Sequence, residues 1–179
     1  MPFIDLEENV PGIRSLVLFR PETGKPLYEL VQILLRGPST LSMANRELIA
    51  AYVSHLNECQ FCHRSHAAAA KALAGTDKTS IQTSLSNPGK SSDPKMEALL
   101  HIAAQTTKSG KAVTAEDIDV AKDAGADDRE IHDTVLIAAT FNMFNRYVDG
   151  LATFTPADDQ VYEEMGERMA KGYSLPQKK

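Results

Sequence analysis

The sequence predicts an all-α protein, and three observations carry that prediction. Prolines fall at positions 2, 11, 21, 26, 38, 88, 94, 156 and 176, which leaves 39–87 and 95–155 free of a residue that breaks helix interiors. Within those spans apolar residues recur at i, i+3, i+4 and i+7, and no period-2 alternation is strong enough to mark a strand. Helix-start chemistry stands at the right places: Ser42, Asp93-Pro94, Thr114-x-x-Asp117 and Asp127-x-x-Glu130.

Taken in order, residues 1–25 read as an arm with turns at Pro11-Gly12 and Pro21 to Gly24, and Leu16, Val17, Leu18 and Phe19 are expected to pack on the body or on a neighbouring subunit. A helix follows Pro26 with Leu27, Leu30, Val31, Leu34 and Leu35 inward and Gly37 as its stop. A second runs from its cap at Ser42 to Asn57 on the stripe Ile49, Tyr52, Val53 and Leu56. The alanine-rich stretch beyond Asn57 makes a third, ending at Gly75. Thr79 to Ser92 reads as a connector able to cover a site. Beyond it, helices begin at Pro94, after Thr114 and after Asp127, the last with Ile131, Val135, Ala138 and Phe141 on one stripe and an end near Gly150. A final amphipathic helix from about Pro156 carries Val161, Met165 and Met169.

With 179 residues, 42% hydrophobic and 24% charged, the chain has the size and composition of a single globular domain. Its parts are an arm (1–25), a core (41–150) and a C-terminal helix and tail (156–179). A net charge of −5 argues against a nucleic-acid surface, which needs clustered Lys and Arg, and the terminal Lys178-Lys179 pair is expected to be solvated. The acidic start Met-Pro-Phe-Ile-Asp-Leu-Glu-Glu lacks a basic n-region and a long apolar core, and the apolar run near Val135 to Phe141 is too short to span a bilayer. The expected location is therefore the reducing cytoplasm, with no membrane partner. There a lone Cys-x-x-Cys is redox-active or metal-binding more often than a structural staple.

Both cysteines of the chain form such a pair, Cys59 and Cys62, with His63 and His66 just downstream. Two cysteines placed at random land three apart only roughly one time in a hundred. On a helix Cys59, Cys62, His63 and His66 fall at i, i+3, i+4 and i+7, so one face carries two thiols and two imidazoles. An antiparallel hairpin turning near Leu56 to Glu58 sets Glu47 level with about position 68, within about 3 Å of axial rise of His66. A carboxylate, an imidazole and two thiols are thus expected at one place.

Glu47, eleven intervening residues, Cys59-x-x-Cys62, three more and His66 resemble the motif of the AhpD-like alkylhydroperoxidases within the carboxymuconolactone decarboxylase superfamily. The resemblance extends more loosely to Asn57 and to Phe141-Asn-Met-Phe-Asn-Arg146, covering roughly Leu41 to Gly150. It departs in one respect: other members carry a histidine between the cysteines, where Gln60 and Phe61 stand here. The resemblance implies an oligomeric thiol peroxidase with no prosthetic group and no metal. Consistent with it, Cys62 is expected as the attacking thiol because His66 stands one turn beyond it, with Cys59 as its disulfide partner and Glu47 and His66 handling protons. A hydroperoxide is the implied substrate and a dithiol donor, such as a lipoyl group or a thioredoxin-like protein, the implied reductant.

Elementary chemistry says what such a site needs. A free thiol near pKa 8.5 is about 3% ionised at neutral pH, and a place in a helix's first turn beside an imidazole lowers that pKa. Two units of lowering gain only a factor of about two or three, because nucleophilicity falls as ionisation rises. Protonating the departing alkoxide matters more, since positioned proton transfer contributes about 10²- to 10⁴-fold. For Glu47 to share that work, burial has to raise its pKa. Other readings stay open: a zinc site using fewer of these residues plus Glu47, a structural interaction protein, or a decarboxylase like others of the superfamily, which typically lack the cysteine pair. Cys59-x-x-Cys62-His63 also matches a c-type haem attachment pattern, which requires export. His63 reads equally as a second-layer group or a solvated one, and Asn142, Asn145 and Arg146 read as packing or subunit contacts.

Overall fold

The computed structural model describes residues 1–175, and among them every regular element is helical. The pair Lys178-Lys179 lies outside the described residues. Nine α-helices follow in order: α1 Ile13–Phe19, α2 Pro21–Arg36, α3 Met43–Leu56, α4 Gln60–Leu73, α5 Lys78–Ser86, α6 Pro94–Lys108, α7 Ala115–Asp123, α8 Asp128–Gly150 and α9 Asp159–Ala170.

Local chemistry sets most boundaries. Ser42 accepts a hydrogen bond from the Asn45 backbone N–H, and Asp93 accepts from Lys95 ahead of a helix that opens on Pro94. Thr114 with Asp117 and Asp127 with Glu130 form complete capping boxes at the starts of α7 and α8, each satisfying two otherwise orphaned N–H groups.

Helix α3 is the centre. Ala44, Leu48, Ile49, Ala50, Ala51 and Val53 are all buried, because α2, α4, α5, α6 and α8 pack around it. That enclosure blurs the expected stripe: Tyr52 is half-buried and Leu56, at the hairpin end, is 40% exposed. Helices α3 and α4 form the predicted antiparallel hairpin, and α9 lies along the other side of α4. Two apolar clusters result. The larger joins α2, α3, α6 and α8 through residues such as Leu35, Ile49, Leu99, Ile102 and Ile137. The smaller gathers Leu16, Cys59, Phe61, Cys62, Val148, Tyr162 and Met165 around the cysteine pair.

Four expectations need correction. The helix expected to follow Pro26 begins at Pro21 and contains Pro26, because Pro21 already supplies the favoured first-turn residue and Glu22 the first-turn acid. The arm is helical as well, and Leu16, Val17 and Leu18 are buried within the chain itself, leaving Phe19 57% exposed. The connector at 79–92 holds helix α5, which packs on α3 and α4 with Ile81 and Ser84 buried, so its polar composition reflects a mostly solvated helix face. In α9, Tyr162 takes the inward place expected of Val161 and lies beside Met165 and Met169.

Gly166 sets how closely α9 approaches α4. A Cβ there stands 2.6 Å from the carbonyl carbon of Ala68 and 2.8 Å from its Cβ, both fixed parts of a helix. Gly166→Ala is therefore expected to destabilise by about 2 kcal/mol through forced separation, a fall in Tm of about 4–8 °C. Calorimetric melting of the variant checks this, and an unchanged Tm refutes the close contact.

Candidate active site

The α3–α4 turn fixes the cysteines. Asn57 ends α3 and Glu58 adopts the left-handed conformation at φ 59°, a geometry that reverses the chain at a cost for a residue with a Cβ. Cys59 is the N-cap of α4, in extended backbone, and its N–H donates to the Ser54 carbonyl at 3.0 Å. Cys62 is then the third helical residue. The single face expected for all four motif side chains is thus reduced to Cys62 and His66, one turn apart on α4.

Both thiols are buried, Cys59 completely and Cys62 at 4% exposure, and both are free. The neighbouring Cys59 thiol pushes the Cys62 pKa well above its ordinary value, and burial pushes in the same direction, while a hydrogen bond with Asn145 works against them. The lowering expected from a helix start is overturned at Cys62, because the neighbouring Cys59 thiol and removal from water together outweigh it there. Cys62 also forms one wall of a small apolar cavity of about 40 Å³ with Ile13, Tyr28, Val31, Phe141 and Phe144.

Glu47 and His66 meet as the hairpin arithmetic requires. Glu47 Oε2 lies 2.6 Å from His66 Nδ1, and the carboxylate is fully buried. Its other oxygen accepts from Arg36 Nη2 at 2.5 Å and from the Tyr173 hydroxyl at 2.6 Å. Burial pushes the Glu47 pKa up, but His66, Arg36 and Tyr173 together outweigh it and hold the carboxyl below its ordinary value. The expectation that burial raises this pKa is overturned: three donors keep Glu47 ionised. An ionised Glu47 in turn places the proton of the His66 ring on Nδ1, leaving Nε2 for chemistry. The ring is further held edge-on by Phe141 at 4.5 Å between centroids and lies nearly parallel to Tyr173, at 18°. Phe141 therefore touches His66 and also walls the cavity at Cys62.

Arg36, at the end of α2, is anchored by the Leu35 and Met169 carbonyls at 2.7 and 2.8 Å. Sequence reasoning missed both Arg36 and Tyr173. A buried acid calls for a cation, which marks the nearby arginines as candidates, but Tyr173 lies 126 residues from Glu47 with nothing local to flag it.

A second polar group flanks the thiols. Asn145, buried at 1% exposure, donates to Ser54 Oγ at 3.0 Å and accepts from Asn57 Nδ2 at 2.9 Å, while Arg146 Nη1 donates to Asn142 Oδ1 at 2.8 Å. These residues lock α8 to the hairpin turn, and Asn145 reaches Cys62 besides. Asp149, one turn on in α8, has its pKa raised by burial, with the nearby Cys59 thiol pulling the other way. His63 takes no part in this cluster: its Nδ1 lies 3.0 Å from the Ala51 carbonyl, and burial lowers its pKa, so it is a neutral latch between α4 and α3. Among the described residues no group of three or more His, Cys, Asp or Glu side chains is arranged to hold a metal ion, and no helix is long and apolar enough to cross a membrane.

The fold and this site define a helical protein built on a Cys-x-x-Cys hairpin with a buried Glu–His pair. The model of the carboxymuconolactone decarboxylase family matches residues 21–105. A peroxidase-related protein of Silicibacter sp. TM1040 is similar over 86% of this chain and 79% of its own, with 29% identity and a TM-score of 0.74. A peroxidase-related protein of Ralstonia eutropha JMP134 with an alkylhydroperoxidase AhpD core superposes with a TM-score of 0.75 at 21% identity, over 88% of this chain and 82% of that one, a likeness of fold. No match was found among curated proteins. The chain has the AhpD-like fold, and its residues 21–105 are similar to the carboxymuconolactone decarboxylase family.

Proposed function

We propose that the protein reduces hydroperoxides with its cysteine pair. The observation that carries the reading is Cys62 opening onto an apolar cavity with His66 one helical turn away, its Nδ1 bound to an ionised Glu47. In the first step Cys62 sulfur bonds to the outer peroxide oxygen as the O–O bond breaks. Sulfur is oxidised by two electrons, and the leaving alkoxide takes a proton to become an alcohol. Because the Cys62 thiol is protonated at rest, its proton has to leave as the attack proceeds, and His66 Nε2 accepts it and delivers it to the alkoxide. Glu47 holds the ring and stabilises the imidazolium. Its own proton does not move, since Arg36 and Tyr173 keep it ionised.

In the second step the Cys59 thiol condenses with the Cys62 sulfenic acid, forming a disulfide and releasing water. Cys59 is adjacent, and the Asp149 carboxylate beside it can accept the thiol proton. A dithiol, such as a lipoyl group or a thioredoxin-like protein, then reduces the disulfide and is itself oxidised. A cavity of about 40 Å³ has room for the peroxide head group, and the organic remainder lies outside it.

Anaerobic thiol titration tests the cycle. One equivalent of cumene hydroperoxide is expected to consume both thiols and yield a 59–62 bridge by mass spectrometry, with cumyl alcohol as the product. Two thiols that survive that equivalent overturn the reading.

A further inference from the structure

The cavity at Cys62 shares two walls, Ile13 and Tyr28, with a larger pocket of about 340 Å³ that lies between α1, α4, α9 and the segment at Tyr173. That volume is at the small end of ligand sites, which run from about 300 to 1,000 Å³. Its lining is mostly apolar, with Phe61, Met165 and Met169 among the residues exposed to it, and two guanidinium groups, Arg14 and Arg168, stand on its wall. Among the described residues neither guanidinium has an acidic partner or a hydrogen bond to the protein. Both act on the Tyr28 hydroxyl. Burial pushes its pKa up to about 12 against the pull of the two cations. Burial and the like charge of Arg14 also hold Arg168 below its ordinary pKa. An anion between the two arginines relieves that repulsion and gains charge-assisted hydrogen bonds.

We propose that this pocket binds the carboxylate of an amphiphilic organic hydroperoxide, with Arg14 and Arg168 on the carboxylate, the apolar wall on the hydrocarbon, and the peroxide end passing Tyr28 to reach Cys62. The proposal rests on the peroxidase reading and names its substrate class. Tyr173 connects the two regions, since it lines the pocket and hydrogen-bonds Glu47. The pocket therefore adjoins both the thiol and the proton-handling pair. The chemistry is that of the first step above, with the hydroperoxide reduced to the corresponding hydroxy acid.

Steady-state kinetics of the full chain with dithiothreitol, using ω-hydroperoxyoctanoic acid and its methyl ester, test the assignment. The wild type is expected to prefer the acid by about tenfold to a hundredfold in kcat/KM, expressed in KM, the range that hydrogen bonds to a charged group support. In the Arg14→Gln/Arg168→Gln double variant the acid-to-ester ratio falls towards one, and Arg14→Lys/Arg168→Lys restores part of it. Calorimetric titration with octanoate gives a readout independent of turnover: it binds the wild type and loses affinity by a similar factor in the glutamine variant. Equal use of acid and ester by the wild type, or a ratio unmoved by the double substitution, overturns the pocket while leaving the peroxidase reading intact. Octanoate binding that depends on the arginines, with neither hydroperoxide reduced, overturns the peroxidase and the substrate assignment while retaining an anion site.

Discussion

Cys62→Ser is expected to abolish hydroperoxide reduction, lowering kcat/KM by at least about a thousandfold. A hydroxyl of similar size keeps the packing near the small cavity but has no sulfur to take up oxygen, so the O–O bond finds no nucleophile. Cys59→Ser separates the roles. It leaves the first step intact, so one equivalent of peroxide is consumed and a sulfenic acid persists at Cys62, trappable by dimedone. Comparable turnover in Cys62→Ser refutes the assignment, and an active Cys62→Ser beside an inert Cys59→Ser reverses it. Retained Tm in both variants guards against loss of fold, since both thiols are buried within the cluster that holds Leu16, Val148 and Tyr162.

Glu47→Gln is expected to be the most costly single change in stability. Arg36 has only 5% of its side chain exposed and Glu47 none. Removing the negative partner strands a buried cation on the Leu35 and Met169 carbonyls alone. Breaking a buried pair from one side costs about 3–5 kcal/mol, a fall in Tm on the order of 10 °C. Activity falls as well, because the amide neither anchors the ring nor stabilises imidazolium, and lost proton transfer costs about 10²- to 10⁴-fold. The pH dependence has a definite sign. The Glu47 pKa is lower in the folded state than its ordinary 4.5, so its contribution is fully present above about that pH and is lost as pH falls through the folded value. The gap in Tm between wild type and Glu47→Gln is therefore widest near neutrality and narrows below 4.5. A gap that stays constant or widens in acid refutes the ionised state of Glu47.

Much of this was legible in sequence wherever one helix or one hairpin decides the outcome. The capping boxes at Thr114 and Asp127 need only four consecutive residues, and the meeting of Glu47 with His66 needs only the rise per residue and the position of one turn. Arg36 and Tyr173 were not legible, because they reach Glu47 from α2 and from beyond α9, and tertiary packing alone brings them there. The direction of the Cys62 pKa follows from burial and from a second thiol alongside, quantities that a linear motif does not carry. Helix α5 was hidden by its polarity, since only Ile81 and Ser84 of its nine residues turn inward. The residues around Asn145 read as ordinary packing until α8 was seen to cross the hairpin turn, where one buried amide serves Ser54, Asn57 and Cys62 together.

The carboxylate at the heart of the site is sealed by a phenol that the ribosome adds 126 residues later. Until that late segment docks, a nascent or proteolytically clipped chain carries its sulfurs without a finished route for protons. In the proposed cycle, turnover is thereby reserved for molecules whose two distant stretches have both arrived, and activity would report on the completeness of folding.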